Sequence, residues 1–179
     1  MKRIYLMRHS KAGQTNKKLL DDIERTLTKK GEEQIPLITE ELSRKYKKDL
    51  PPELIITSTA IRAKQTAGIF RNHYKIKKNI EIKSFSELYI NTDTEILNIL
   101  KKTDNNINSV LVISHVPGLQ HFAIDFAHSG DKSKFRQMRS NFPPSSFVVF
   151  DIDIKSWKNI EPKKGVLVDY INSKKIKKI

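Results

Sequence analysis

The stretch Val110-Leu111-Val112-Ile113-Ser114-His115-Val116-Pro117-Gly118 decides how this chain is expected to fold. Its first four residues form a short, continuous apolar run with β-branched side chains, which is typical of a buried strand. Pro117-Gly118 then turns the chain sharply. Leu119, Phe122 and Phe126 follow at helical spacing and predict an amphipathic helix that ends at Gly130. The stretch therefore predicts a strand followed directly by a helix.

The same alternation extends outward in both directions. Strands are predicted at residues 2–7, 54–57, 80–84, 147–152 and 166–170, and helices at residues 29–46, 60–74 and 92–102. Alternating strands and helices are typical of an α/β protein. We therefore expect a three-layer α/β/α sandwich with a mostly parallel central sheet, in which a final hairpin adds an antiparallel edge.

Polar residues mark where the predicted helices begin. Thr28 is placed to cap the first helix, and Ser58 or Thr59 to cap the second. Thr92 and Glu95 have the spacing of a capping box. Pro36 is expected to kink the first helix or to delay its start.

Length and composition favour one globular domain over residues 1–179, with a basic, solvated tail at residues 173–179. The chain has no cysteine, which excludes disulfides, thiolate metal sites and cysteine nucleophiles. The apolar run Ile4–Met7 is too short for a signal peptide or a membrane span. A cytoplasmic protein without membrane contact, and a monomer, are the expected states.

The net charge of +14 attracts anions, so phosphorylated substrates, nucleic acid and acidic membranes are all candidates for partners. The lysines are scattered along nearly the whole chain, which favours a solvated surface over a dedicated nucleic-acid site. A phosphorylated substrate is the partner that the remaining residues support.

Reactive polar groups follow three of the predicted strands. Arg8-His9-Ser10 follows the first strand, Ser58 lies at the end of the second with Arg62 just beyond it, and Ser114-His115 follows the strand at 110–113. In a parallel sheet these ends lie at one edge, where α/β proteins form their sites. We therefore expect His9, His115, Arg8, Arg62 and the Ser58 hydroxyl to converge.

This set of side chains suits phosphoryl transfer. A neutral imidazole is a good nucleophile near pH 7, because its free pKa is about 6.5. Arginines neutralise and orient a phosphoryl group through paired hydrogen bonds, and a protonated second histidine could donate to another phosphoryl oxygen. His9 is therefore predicted to attack phosphorus and form a phosphohistidine, with Arg8, Arg62 and His115 holding the oxygens.

A general acid must protonate most leaving groups. Glu87, which follows the third strand, is the first candidate, and Glu24, Asp21 and Asp22 are weaker ones. His121 and His128 lack a third ligand at a suitable spacing, so no metal site is predicted.

Four segments resemble those of the histidine phosphatase superfamily, whose fold is that of phosphoglycerate mutase. They are Leu6–Ala12, Leu27–Gln34, Thr57–Ala67 and Val112–Leu119, and they occur in the family's order. The short chain and the Arg8-His9-Ser10-Lys11 form resemble the SixA-type phosphohistidine phosphatases. The resemblance implies the nucleophile role of His9, phosphate-pocket roles for Arg8, Arg62 and His115, and no metal or organic cofactor.

This sequence departs from the family's pattern at Ser10, Thr59 and Ser114, which stand where glycine, alanine or proline is usual. Phosphohistidine on a protein is the preferred substrate. A small-molecule phosphomonoesterase, a phosphoglycerate mutase-like transferase and a non-catalytic phosphoprotein- or nucleic-acid-binding module remain as alternatives.

Overall fold

A computed structural model describes residues 1–14, 22–46, 51–74, 79–90 and 92–176. The strands are β1 (Lys2–Arg8), β2 (Leu54–Ser58), β3 (Glu81–Phe85), β4 (Ser109–Ser114), β5 (Ala127–Gly130), β6 (Phe147–Ile152) and β7 (Gly165–Ile171). The α-helices are α1 (Lys29–Lys45), α2 (Ile61–His73), α3 (Asp93–Lys101), α4 (Gly118–Phe126) and α5 (Lys132–Ser140).

The strands form one mixed sheet in the order β3-β2-β4-β1-β6-β7-β5. β3, β2, β4 and β1 run parallel to one another, whereas β6 is antiparallel to both β1 and β7. The prediction of a mostly parallel sheet with an antiparallel hairpin is confirmed. The parallel half brings the carboxyl ends of β1, β2 and β4 to one edge.

Helices cover both faces of the sheet, as predicted for a three-layer sandwich. Side chains of β1 alternate between the two faces, because successive residues of a strand point in opposite directions. Ile4 and Leu6 pack in the core beneath α3, α4 and α5, whereas Tyr5 and Met7 pack in the core beneath α1 and α2. The sheet is therefore packed between two apolar cores, one on each face.

The predicted caps are largely confirmed. Thr28 Oγ1 accepts a hydrogen bond from Gly31 N at 3.1 Å, and Thr92 N donates to Glu95 Oε2 at 2.6 Å. The cap predicted for α2 at Ser58 or Thr59 is wrong, because Ala60 is the N-cap and makes no side-chain cap bond; Ser58 Oγ accepts from Ala60 N at 3.2 Å instead. Of the two effects expected of Pro36, a kink or a late start, the late start is excluded, because α1 begins at Lys29 and runs through the proline.

Two elements were not predicted, β5 and α5, and the helix predicted to end at Gly130 ends at Phe126, so residues 127–130 form β5 instead. β5 is a short polar strand whose parallel pairing with β7 is a tertiary contact, so no local pattern marks it. The start of α5 does carry a local signal, since Asp131 accepts hydrogen bonds from Ser133 N and Lys134 N. Residues 177–179 of the predicted basic tail lie outside the described residues. No described helix has the length and apolar character needed to cross a membrane.

Candidate active site

The site forms where β1 and β4 end side by side. The two strands are paired in parallel with Arg8 opposite Ser114, so His9 and His115 leave the sheet together. His9 N donates to Ser114 O at 3.0 Å, and the two imidazole rings have their centroids 4.9 Å apart. The predicted convergence of these two histidines is therefore confirmed by the geometry.

The hydrogen bonds of His9 fix which ring nitrogen is free to react. Nδ1 lies 2.7 Å from the carbonyl oxygen of Ser10. A carbonyl oxygen only accepts hydrogen bonds, so Nδ1 carries the proton and Nε2 keeps its lone pair. Nε2 faces Arg62 Nε at 3.4 Å. His9 thus presents a nucleophilic nitrogen next to a guanidinium group.

Ser10, one of the departures from the family pattern, is held on several sides. Its N donates to Thr66 Oγ1 at 3.1 Å and its Oγ donates to Gly31 O at 2.6 Å, while Ser145 Oγ donates to Ser10 Oγ at 2.7 Å. These bonds orient the carbonyl group that sets the tautomer of His9. Gly31 is required here, because a Cβ at this position would lie 2.1 Å from Lys11 O.

Arg62 enters the site from the first turn of α2 and uses both edges of its guanidinium. Nε faces His9 Nε2, and Nη2 lies 3.3 Å from Nδ1 of His115. On the outer edge, Nη1 donates to Asp22 O at 2.5 Å and Nη2 donates to Asp22 Oδ2 at 2.9 Å. The Nε–Nη2 edge therefore faces the two imidazoles.

Asp22 is the centre of a small hydrogen-bond network at the rim. Besides Arg62, it accepts bonds from Arg25 Nη1 at 2.7 Å and from the Tyr89 hydroxyl at 2.7 Å. Burial alone would raise the pKa of the Asp22 carboxyl, but these hydrogen bonds outweigh it and hold that pKa well below its usual range. Asp22 is therefore an anion at all ordinary pH values.

His115 lies between Ser58 and Tyr89. Its Nε2 is 2.8 Å from Ser58 Oγ, and the Tyr89 ring packs against it edge-on with centroids 5.7 Å apart. Arg62 Nη2 can only donate, so Nδ1 of His115 accepts and Nε2 carries the proton toward Ser58. Ser58 therefore contacts the cluster through His115.

Arg8 completes the positive charge of the site. One of its terminal nitrogens donates to Phe142 O at 2.9 Å, whereas its buried Nε has no hydrogen-bond partner among the described residues. Burial and the neighbouring charge of Arg62 lower the pKa of Arg8. A buried donor without a partner beside a second arginine is a suitable position for an anion.

Both histidines are neutral in this arrangement. Burial lowers the pKa of His9 to about 3, and the charges of Arg62 and Arg8 act in the same direction, although the bond to Ser10 opposes them. Burial also lowers the pKa of His115 to about 3, with further contributions from His9 and Arg62. The protonated form of His115 considered from the sequence is therefore not the form of the anion-free site.

These lowered pKa values predict a pH-dependent stability. In the unfolded chain both histidines bind protons below pH about 6.5, whereas the folded protein refuses them until the pH falls to about 3. The free energy of unfolding should thus decrease as the pH falls from 6.5 toward 5, by up to about 1.4 kcal/mol per pH unit for each histidine.

Urea denaturation at a series of pH values measures how steeply the free energy of unfolding depends on pH. His9→Gln and His115→Gln should each lower that slope by up to about 1.4 kcal/mol per pH unit, since each removes one proton-binding group. Slopes equal to that of the wild type in both variants would contradict the shifted pKa values.

The structure places the acid candidates differently from the sequence prediction. Glu87 is exposed, bonds to Ser86 Oγ at 3.0 Å, and lines a flanking groove with Lys83 and Lys102 rather than the histidine cluster. The prediction that Glu87 lies at the site is not supported by this position. Glu24 is exposed, and Asp21 lies outside the described residues.

Tyr89 and Arg25 belong to the site, and the sequence did not single them out. Tyr89 bonds to Asp22, and its ring centroid is 5.9 Å from Arg62 Cζ. The spacing of Asp22 and Arg25, three residues apart, was a signal for their ion pair. Within the described part of the chain, no three His, Asp or Glu side chains are grouped as a metal site requires.

Comparisons with known proteins agree with this geometry. A family model, described as the histidine phosphatase superfamily (branch 1), matches residues 4–90, which include His9, Asp22, Arg62 and Tyr89. A search of curated protein sequences gave no match.

Solved structures with a similar fold are assigned as phosphohistidine phosphatase SixA. The protein from Agrobacterium tumefaciens is 22% identical over 96% of this chain and 97% of that chain, with a TM-score of 0.74. The protein from Nakamurella multipartitia is 21% identical over 96% and 95% of the two chains, with a TM-score of 0.76. A SixA complexed with tungstate is 20% identical over 98% and 99%, with a TM-score of 0.74.

The TM-scores and coverages establish a common fold over nearly the whole chain. The match to the family model is a separate observation, made on sequence, and it covers the segments that carry His9 and Arg62. Residues 4–90 therefore match the sequence pattern of the histidine phosphatase superfamily, and together with the shared fold this match supports an enzyme of the phosphatase type.

Proposed function

We propose that this protein removes phosphoryl groups from phosphohistidine on proteins, through a phosphohistidine intermediate on its own His9. The observation that carries the proposal is the unprotonated Nε2 of His9, which accepts from Arg62 Nε at 3.4 Å, with Nδ1 held by Ser10 O. A nucleophile with a fixed tautomer next to guanidinium donors suits attack on phosphorus.

In the first step, His9 Nε2 attacks phosphorus and the bond from phosphorus to the leaving group breaks. Arg8 and the Nε–Nη2 edge of Arg62 neutralise the phosphoryl oxygens. The incoming negative charge raises the pKa of His115, so His115 can take up a proton and donate it through Nδ1 to an oxygen. Water then attacks the phosphoenzyme, releases inorganic phosphate and restores His9.

The leaving group favours a nitrogen–phosphorus bond. Asp22, the described carboxylate that bonds to Arg62, is held as an anion by three donors and therefore has no proton to give. An ester leaving group needs such a proton, whereas the imidazole of phosphohistidine is itself readily protonated. Phosphoramidate hydrolysis makes the smaller demand on this site.

The rim of the site favours a protein substrate. Ile61, directly before Arg62, is 37% exposed, and Ile90, directly after Tyr89, is 73% exposed. Exposed apolar side chains beside a polar site offer contact area to a partner surface, which a small metabolite would not use. The charge of +14 would also attract an acidic partner.

A comparison of two substrates tests this choice. We expect Ile90→Asp to reduce kcat/KM on the order of tenfold for a carrier protein phosphorylated on histidine, because apolar contact area is lost. The loss for phosphoramidate, which is too small to reach the rim, should be much smaller.

Val166→Asp is the matched control. Val166 is also exposed, but it lies level with the start of β1 through Asp151, at the opposite edge of the sheet. Equal losses for protein and small substrate in Ile90→Asp, or faster wild-type turnover of phosphomonoesters than of phosphohistidine, would contradict a protein phosphohistidine substrate.

A further inference from the structure

We propose that Asp22 is a positioning residue, held by Tyr89 and Arg25, which fixes Arg62 so that one edge of its guanidinium grips the phosphoryl group. This inference rests on the proposed phosphatase function of the same site. From the sequence alone, Asp22 is only a weak candidate for the general acid.

The geometry separates the two edges of the guanidinium. Asp22 occupies the outer edge through two different groups, its backbone carbonyl on Nη1 and its carboxylate on Nη2. The inner edge, Nε and Nη2, faces Nε2 of His9 and Nδ1 of His115 at 3.4 Å and 3.3 Å. Guanidinium is planar, so fixing its outer edge also fixes the direction of the inner one.

Asp22 is itself fixed by two further donors. The Tyr89 hydroxyl bonds to Oδ2, the same oxygen that Arg62 uses, and Arg25 bonds to Oδ1. Arg25 is tied to the adjacent loop by its Nε, which donates to Gly13 O at 2.6 Å. The carboxylate therefore has little freedom to leave Arg62, and Tyr89 also packs against His115.

The charges explain why a carboxylate is suited to this place. Arg8 and Arg62 repel each other across the site, and Arg62 is 6% exposed at its side chain. Asp22 neutralises part of that charge from the outside without lying between Arg62 and His9. An arginine that is already oriented loses less freedom on binding phosphate than a free one would.

A double-mutant cycle tests the role. We expect Asp22→Ala to reduce kcat/KM on the order of 100-fold, because Arg62 loses its alignment. Asp22→Ala placed in an Arg62→Ala background should have little further effect, since Asp22 acts through Arg62. Tyr89→Phe keeps the ring and removes only the hydroxyl, so a loss of about tenfold is expected.

Two readouts distinguish positioning from other roles. If Asp22 acts by positioning Arg62, Asp22→Ala should lower turnover of esters with good and poor leaving groups by the same factor. It should also weaken the binding of inorganic phosphate measured by calorimetry. A general acid would affect mainly the poor leaving groups. Phosphate binding also separates the positioning role of Asp22 from the proposed phosphohistidine phosphatase function, because it can be measured even if the wild-type protein hydrolyses no phosphohistidine.

Glu41→Ala is the matched control, since Glu41 pairs with Arg44 at 2.8 Å on α1 and is not part of the site. Additive losses in the cycle, unchanged phosphate affinity in Asp22→Ala, or a loss confined to poor leaving groups would overturn the proposal. If Asp22→Ala fails to fold, Tyr89→Phe decides the matter alone, and wild-type phosphate affinity in that variant would count against it.

Discussion

Replacing His9 with alanine should lower kcat by at least about 10⁴-fold for every substrate of this protein, because the proposed mechanism takes its attacking nitrogen from this residue. Ser10 O fixes the proton on Nδ1 and the pKa is lowered, so this imidazole stays neutral and its Nε2 stays unprotonated. Phosphate release from phosphoramidate and from a phosphohistidine peptide, each with and without a chelator, measures the effect.

The intermediate offers a second measurement of the same prediction. Acid-labile phosphate should appear on wild-type protein during turnover, and mass spectrometry should place it on the peptide that contains His9. His73→Ala is the control, because His73 is an exposed histidine whose Nδ1 bonds within its own helix to Ile69 O. Substantial turnover by His9→Ala would refute the nucleophile role, and loss of wild-type activity in chelator would refute a metal-free mechanism.

Replacing Arg62 with alanine should lower kcat/KM by about 10²- to 10³-fold, the range typical of a lost donor to charge that develops in the transition state. Arg62 contacts both imidazoles and Asp22, so its removal leaves His9, His115 and the rim carboxylate without their common partner. Asp22 would keep its bonds to Arg25 and Tyr89 but would no longer orient a guanidinium toward the phosphoryl group.

Arg62→Lys should recover only part of the loss. A lysine ammonium is a point charge and cannot hold Asp22 with one edge while it presents another to the phosphoryl group. Arg71→Ala, an exposed arginine on the same helix, is the control for general effects of charge. Full activity in Arg62→Lys would show that charge alone is needed, and that the two-edged geometry is unimportant.

The sequence by itself determined the class of the fold and which histidines and arginine lie together at the candidate site. Short apolar runs mark β1, β2 and β4 as buried strands, and in a parallel sheet their carboxyl ends lie together. That local information was enough to bring His9, His115 and Arg62 to one place. The Thr28 and Thr92 caps were equally local, since each depends on residues no more than three positions away.

Only the tertiary structure decided the partners of these residues. Asp22 reaches Arg62 across 40 positions and Tyr89 across 67, and no spacing rule in the chain describes such contacts. Glu87 and Tyr89 stand two residues apart, yet one lines a flanking groove and the other contacts His115. The bond from His9 Nδ1 to Ser10 O is local, but the bonds that hold Ser10 and the donors that fix the charge of Asp22 exist only once distant segments have packed together.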